Sequence, residues 1–216
     1  MENFWIIGGG KFGLRAAQAL RKIDAANRLT IIEKNKAVCG RVSGEGFETV
    51  CTDGIQYLEN HLTANHFPDW IVPAIPLHVA FEWIRAKMSA TFTVESIHIP
   101  NDIAGQLPNP VPGETGQFFI SIADFKCPPN CREPHDICTH TGRPRSMILH
   151  EFLRSIPSKG FTTIVIQSHQ LAPGVGGYTP AALFDALDQI RNMQSPVLLS
   201  TACSCHGVMN AFKSIH

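Results

Sequence analysis

Asn3-Phe4-Trp5-Ile6-Ile7-Gly8-Gly9-Gly10-Lys11-Phe12-Gly13 decides the fold of this chain. After Asn3, the residues Phe4 to Ile7 are apolar, aromatic and β-branched, the composition of a buried strand. Three glycines follow at the spacing Gly8-x-Gly10-x-x-Gly13, and Leu14 to Ile23 then carries alanine and leucine at helical intervals. Leu29 to Ile32 is a second β-branched strand, closed by Glu33, 20 residues after Gly13. Strand, glycine turn, helix, strand and terminal carboxylate make up a dinucleotide-binding βαβ unit. Gly8 permits the tight turn, Gly10 admits the backbone to a pyrophosphate, and Gly13 lets helix and strand pack closely. Lys11 and Phe12 open the helix, where unpaired N–H groups and the helix dipole meet phosphate charge. A carboxylate at Glu33 accepts from both ribose hydroxyls and repels a 2′-phosphate, which favours NAD over NADP.

Outward from this unit the alternation continues. Phe47–Cys51 reads as a strand, Ile55–Leu62 as a helix, Trp70–Ile75 as a strand and Val79–Met88 as a helix. Short connections between alternating elements predict an α/β fold, a Rossmann-like, doubly wound and mostly parallel sheet. Residues 101–116 interrupt the pattern with three prolines and three glycines. This stretch is expected to connect a dinucleotide-binding part, 1–100, to a second, smaller α/β part, 117–216, which either continues the same sheet or follows it. The second part reads as strand Phe118–Phe125, a cysteine-rich loop, helix Met147–Ile156, strand Thr162–Gln167, a glycine-rich loop, helix Pro180–Met193, strand Val197–Thr201 and a short C-terminal helix. Thr179 suits an N-cap and Pro180 the first helical position.

The 216 residues carry 18 basic and 18 acidic side chains, so no general electrostatic attraction to nucleic acid or anionic membrane is expected. No apolar run reaches the ~18 residues of a membrane helix. The N-terminus lacks the basic segment of a secretion signal. A cytoplasmic protein without membrane insertion or nucleic-acid partner is expected, acting on a small-molecule substrate or effector. Dinucleotide-binding domains often pair, which leaves a homodimer open.

The stretch from Ile6 through Gly13 to Glu33 resembles the NAD-binding domain of Trk-type potassium-uptake regulators. Val50-Cys51-Thr52-Asp53-Gly54 falls where that family has a Gly-Asp-Ala loop, and the resemblance implies that Asp53 lies near the adenosine. The glycines with Leu14-Arg15 also resemble, more weakly, the precorrin-2 dehydrogenase domain of siroheme synthases. Either likeness covers about the first 75 residues and leaves the second half unrecognised.

The second half has its own signature. Cys127, Cys131 and Cys138 form one group in a polar, proline-rich loop, and Cys203 and Cys205 form another. Five thiols are enough to close a tetrahedral zinc site or to hold a [4Fe–4S] cluster, and the spacing does not choose between the two. The alternative is free thiols in loops or cysteines buried as small hydrophobes, the reading also given to Cys39 and Cys51. The odd count of seven and the missing signal argue against a disulfide framework. If all strands shared one parallel sheet, the glycine loop and both cysteine groups would lie at one edge, with the thiols near the nicotinamide. His135, His140, His169 and His206 are candidate acid–base groups, Arg143 and Arg145 candidate anion clamps, and the loop Gly174–Gly177 a second anion site. These features point to an NAD-dependent oxidoreductase with a cysteine-ligated metal centre. An NAD- or redox-responsive regulator and a non-catalytic metal-binding accessory protein are the alternatives.

Overall fold

The computed structural model describes residues 1–133 and 136–215, so the candidate His135 lies outside the described residues. The first half alternates as β1 (Asn3–Ile7), α1 (Lys11–Ile23), β2 (Arg28–Glu33), α2 (Lys36–Gly44), β3 (Glu48–Cys51), α3 (Gly54–His61) and β4 (Trp70–Pro73), with α2 an addition to the elements expected from sequence. The four strands form a parallel sheet in the order β3-β2-β1-β4. β1 is apolar from Phe4 to Ile7 because it is an inner strand, with helices covering both faces. α1 buries Gly13, Ala16, Ala17 and Leu20, one face at helical spacing, and small residues there let it lie close to the sheet. Asn35 caps α2 and Asp53 caps α3, each side chain accepting from two backbone N–H groups of the first turn.

The chain then runs α4 (Val79–Ser89), β5 (Thr93–Ile97), α5 (Asn101–Ala104), β6 (Val111–Pro112), β7 (Phe118–Ser121), α6 (Leu149–Ser155), β8 (Thr162–Gln167), β9 (His169–Ala172), β10 (Val175–Gly177), α7 (Pro180–Arg191), β11 (Val197–Ala202) and β12 (His206–Ile215). Thr179 caps α7 with Pro180 in its first turn, as its sequence predicts. The later strands do not continue the parallel sheet. They build a second, mixed sheet in the order β6-β7-β12-β11-β8, in which β8 and β11 are parallel and the other pairs antiparallel. β5 joins this second sheet along β12, so residues 93–97 pair with the second half although they precede the Pro/Gly-rich stretch.

The C-terminal segment is a ten-residue strand, not the expected short helix. Pairing on both edges, with β11 on one side and β7 then β5 on the other, outweighs the helical preference of Met209 and Ala211. The glycine-rich loop after β8 is likewise an antiparallel hairpin, β9–β10, turning at Gly174 with φ +72°. It reaches across to the first sheet, where Ile71 of β4 and Tyr178 exchange two backbone hydrogen bonds of 2.9 and 3.0 Å. Ala172 and Val175 pack there with Phe4, Ile6, Ala16 and Leu20. A single buried cluster joins the halves, in which Trp5, Ile7 and Ile71 meet Trp83 and Phe81 of α4 and Ile164, Leu187, Leu199 and Phe212.

Cys39 of α2 and Cys51 at the end of β3 form a disulfide, Cα–Cα 5.9 Å, and are not the free thiols expected from sequence. They are 12 residues apart but adjacent in space, because the α2–β3 turn folds β3 back alongside β2. Cys127, Cys131, Cys138, Cys203 and Cys205 are free thiols. Among the described residues no helix is long and apolar enough to cross a membrane.

Candidate functional site

β1 and β4 are neighbours, yet the chain leaves β1 towards β2 and returns to β4 on the other side. The carboxyl ends of such a pair open a crevice, the usual ligand site of an open parallel sheet. A cavity of about 300 Å³ lies there, between Gly8, Glu33, Lys34, Asp53 and the turn Ile75–Leu77. Its glycines are fixed by space. Gly8 has φ +108°, and a methyl there would stand 2.6 Å from the Ile75 side chain and 2.9 Å from the Ala74 carbonyl oxygen. A methyl at Gly13 would overlap the Gly8 carbonyl oxygen and stand 2.9 Å from its carbon. Gly10 differs, because a methyl there meets nothing within 4 Å. Its glycine is not demanded by protein packing, as it would not be if the facing space belonged to a ligand.

Gly10 is also the N-cap of α1 and makes no side-chain cap, so the amides at this end are presented without one. Phe12 stands 70% exposed on the same turn and Lys11 is exposed beside it. Across the turn, Glu33 Oε2 accepts the Gly9 N–H at 2.7 Å and Oε1 accepts the Asn35 N–H at 2.8 Å. The carboxylate is thereby locked against the glycine loop, and each oxygen keeps a lone pair for a hydroxyl donor. Asp53 spends Oδ1 on the α3 cap, at 2.9 and 3.2 Å, and borders the same cavity. The cavity is thus bordered by Gly8, Glu33 and Asp53, while Gly10 caps α1 and Lys11, Phe12 and Gly13 form the start of that helix beyond the cavity lining.

The two cysteine groups are also brought together. The Glu133 carboxylate accepts the Ser204 N–H at 2.5 Å and lies beside the Cys203 thiol. Arg145 Nη1 donates to Cys205 Sγ. Burial raises the Cys127 thiol, and the nearby Cys131, Cys205 and Cys138 sulfurs raise it further against the opposing pull of Arg145. Burial pushes the Cys203 thiol up to about 12, with Glu133 adding to the rise. Burial also raises Cys205, and its bond from Arg145 works the other way. Three of the sulfurs head tight turns whose amides point back at them. Cys203 Sγ accepts from the N–H groups of Cys205 (3.5 Å) and His206 (3.4 Å), and Cys131 Sγ from that of Glu133 (3.4 Å). Cys138 is lowered by the Thr141 hydroxyl, then by the N–H groups of Thr141 and His140. Among the described residues no three Cys, His, Asp or Glu side chains converge at metal-ligating distance.

The candidate histidines separate. His206 follows the Cys205 turn and His140 the Cys138 turn, where its ring packs on Phe125 at 4.6 Å between centroids. His169 stands edge-on to Trp70 at 5.7 Å, at the start of β4 and so at the opposite end of that strand from the cavity. The Gly174–Gly177 segment holds protein instead of forming an open anion site. The Gly174 N–H and Gln170 Nε2 donate to the Cys131 carbonyl at 2.9 and 2.7 Å, and Arg15 of α1 donates to the Pro129 carbonyl. The cysteine loop is therefore seated on the helix that starts at the glycine turn, although one continuous sheet does not put it there.

Two groups escape the sequence reading. His78 precedes α4 and is 3% exposed, bonded to Asn210 Oδ1 at 2.8 Å and Thr201 Oγ1 at 2.9 Å. His150 of α6 is buried beside Cys203 and is lowered by burial and then by Arg154. Nothing in their local sequence marks either one, since their hydrogen-bond partners lie more than 50 residues away.

Residues 4–58 match the TrkA-N domain, in agreement with the Trk-type resemblance of the glycine stretch. Residues 80–215 match a family described as "Uncharacterized protein, C-terminal domain". A protein of Archaeoglobus fulgidus, called "Uncharacterized protein", is 30% identical over 222 aligned positions, covering 96% of this chain and 98% of its own. No solved structure matches the chain. With the C-terminal match extending over more than half of its length and the archaeal protein aligned almost end to end, the chain belongs to that family, as a Rossmann-like TrkA-N domain followed by the family's C-terminal domain.

Proposed function

We propose that this protein binds NAD(H) in the cleft at the carboxyl ends of β1 and β4, and that it is an NAD-dependent oxidoreductase whose cysteine pocket holds a metal, zinc or iron–sulfur. The observation that carries the cofactor reading is the pairing of an unobstructed Gly10 with a Glu33 carboxylate already fixed on the Gly9 amide. A pyrophosphate over Gly10 would lie on the α1 amides, and the ribose hydroxyls would reach Glu33. The TrkA-N match over 4–58 supports the same site.

The metal reading rests on the N–H···S turns at Cys131, Cys138 and Cys203. Amides aimed at sulfur favour thiolate over thiol, and thiolate is the form that ligates a metal. A cation between the two groups would also reverse the rise that burial imposes on Cys127, Cys203 and Cys205. Four thiolates would close the shell and make the centre structural, whereas three would leave a position for a substrate oxygen to be polarised.

Calorimetric titration with NADH and NADPH, and metal and sulfide analysis of protein purified without oxygen, test both parts. Saturable NADH binding that is stronger than NADPH binding is expected, together with stoichiometric zinc or iron that falls in Cys131→Ser. Absence of NADH binding by folded protein refutes the cofactor reading. Metal-free protein, or undiminished metal in the variant, refutes the assigned centre.

A further inference from the structure

We propose that Cys39 and Cys51 are a reversible thiol–disulfide switch that sets the affinity of the cleft for its dinucleotide. The proposal rests on the cofactor reading and adds a regulator to that site. Cys51 pairs in register with Glu33 across β2 and β3. Two residues beyond it, Asp53 borders the cavity and caps α3. Cys39 lies on α2, which starts from the Asn35 cap directly after Glu33 and Lys34, and its sulfur is 3.1 Å from the Glu33 carbonyl oxygen. The disulfide thus ties together the two walls of the opening, the Glu33 side and the Asp53 side.

The bond matters most to the Asp53 side. β3 is an edge strand, four residues long, that pairs with β2 alone among the described strands. Beyond it the exit turn is held by one backbone bond, Thr52 N–H to Val50 O at 3.2 Å. Without the disulfide, Thr52–Gly54 keeps that turn, the ladder and the α3 cap. The α2 side keeps its position, because the released Cys39 thiol is placed to donate to the Glu33 carbonyl. Reduction therefore frees one wall, and a ligand must order that wall again on binding.

The bond is also reachable. Cys51 is exposed and Cys39 is 8% exposed, so an incoming thiolate meets the Cys51 sulfur first. It forms a mixed disulfide there, and Cys39 leaves as a thiolate and takes up a proton. A second thiol then displaces Cys51, so that one protein disulfide and two small thiols become two protein thiols and one small disulfide. Oxidation by a low-molecular-weight disulfide such as glutathione disulfide runs the same exchange in reverse, with two electrons passing from the cysteines to the oxidant. The five other thiols lie in the second half of the chain and take no part in this exchange.

The test uses the full chain, disulfide state verified by mass spectrometry. NADH is titrated into oxidised protein, protein reduced with a phosphine, and the variants Cys39→Ser and Cys51→Ser. The oxidised form is expected to bind about tenfold more tightly, within the usual range of coupling between linked sites. Both variants should bind like the reduced form under either condition. Coupling is reciprocal, so saturating NADH should lower the midpoint of the wild-type pair in a glutathione redox series by about 30 mV, the tenfold factor for a two-electron couple. This measurement needs no variant to fold. Equal, saturable binding in both redox states overturns the switch alone, even where reduction lowers Tm, since the bond is then only a staple. A redox response that persists in both variants, or a pair that glutathione disulfide does not oxidise, also overturns it. Absence of NADH binding in either state overturns the cofactor reading and the switch with it.

Discussion

Two alanine substitutions three residues apart separate the roles of the glycine loop. At Gly13 the added methyl overlaps the Gly8 carbonyl oxygen and stands 2.9 Å from its carbon, where carbons rest at about 3.5–4.0 Å. The obstacle is backbone, so α1 must move off β1 by the better part of an ångström. Overpacking of that kind costs about 3 kcal/mol, at the upper end of its range. Removing glycine from a helix returns about 1 kcal/mol. The net loss of about 2 kcal/mol lowers Tm by roughly 4–8 °C in a chain of this size. At Gly10 the methyl meets no protein atom, and only the poorer N-cap counts, about 0.5–1 kcal/mol and at most about 4 °C. That methyl does occupy the space given to the pyrophosphate, so NADH affinity should fall at least about tenfold, the equivalent of about 1.4 kcal/mol. Thermal melts and NADH calorimetry on both variants read the two effects independently. Unchanged NADH affinity in Gly10→Ala refutes the cofactor placement. Gly10→Ala destabilised as much as Gly13→Ala refutes the claim that its facing space is free of protein.

Gly174→Ala should release the cysteine loop from the hairpin, because the new methyl would overlap the Pro129 carbonyl oxygen at a backbone φ of +72°. Metal content should fall and NADH affinity should not, and retention of both would show that this seat does not hold the thiols in place. Stability should also depend on pH through His78, whose burial lowers it from 6.5 to about 4. The folded state keeps the ring neutral and the unfolded chain takes the proton first, so stability is complete above pH 6.5 and declines as pH falls towards 4, by about 3 kcal/mol. Urea melts across that window should show the decline in the wild type and a flatter profile in His78→Asn. An unaltered slope in the variant would assign the decline to other groups.

The first half was legible because its signals are local. Gly8, Gly10, Gly13 and Glu33 carry their meaning in spacing and in the strands and helix that flank them, and β1, α1, β2, β3, α3, β4 and α4 lie within a few residues of their expected bounds, whereas α2 and β5 were not expected. In the second half β7, α6, β8, α7 and β11 were legible, whereas the C-terminal strand, the β9–β10 hairpin and the sheet that joins them were not. Nothing between Val197 and Ile215 states that β11 pairs parallel with β8 and antiparallel with β12, since register is a property of partners distant in sequence. The β9–β10 hairpin was hidden for a related reason. Its glycines satisfy close approach to Pro129 and to Ile71 and Val72, which reads in sequence as looseness. The Cys39–Cys51 bond escaped because cysteine count argues about compartments, whereas pairing follows from the packing of α2 against β3.

A four-stranded parallel sheet ending at β4 leaves an unpaired edge, and edges of that kind need cover. The chain supplies it from the second half: Tyr178 pairs with Ile71, and the hairpin behind it fills the gap beside α1 with Ala172 and Val175. The same hairpin carries the cysteine loop on its turn, through the Gly174 and Gln170 bonds to Cys131. Arg15 holds Pro129 of that loop and belongs to the helix whose first turn is proposed to meet the cofactor. The helix α1 is thus in direct contact with the loop bearing Cys127 and Cys131. Closing the edge of the first sheet and seating the cysteine loop against α1 are therefore one structural solution. This makes the hairpin, more than any single cysteine, the element whose loss would release the cysteine loop from α1.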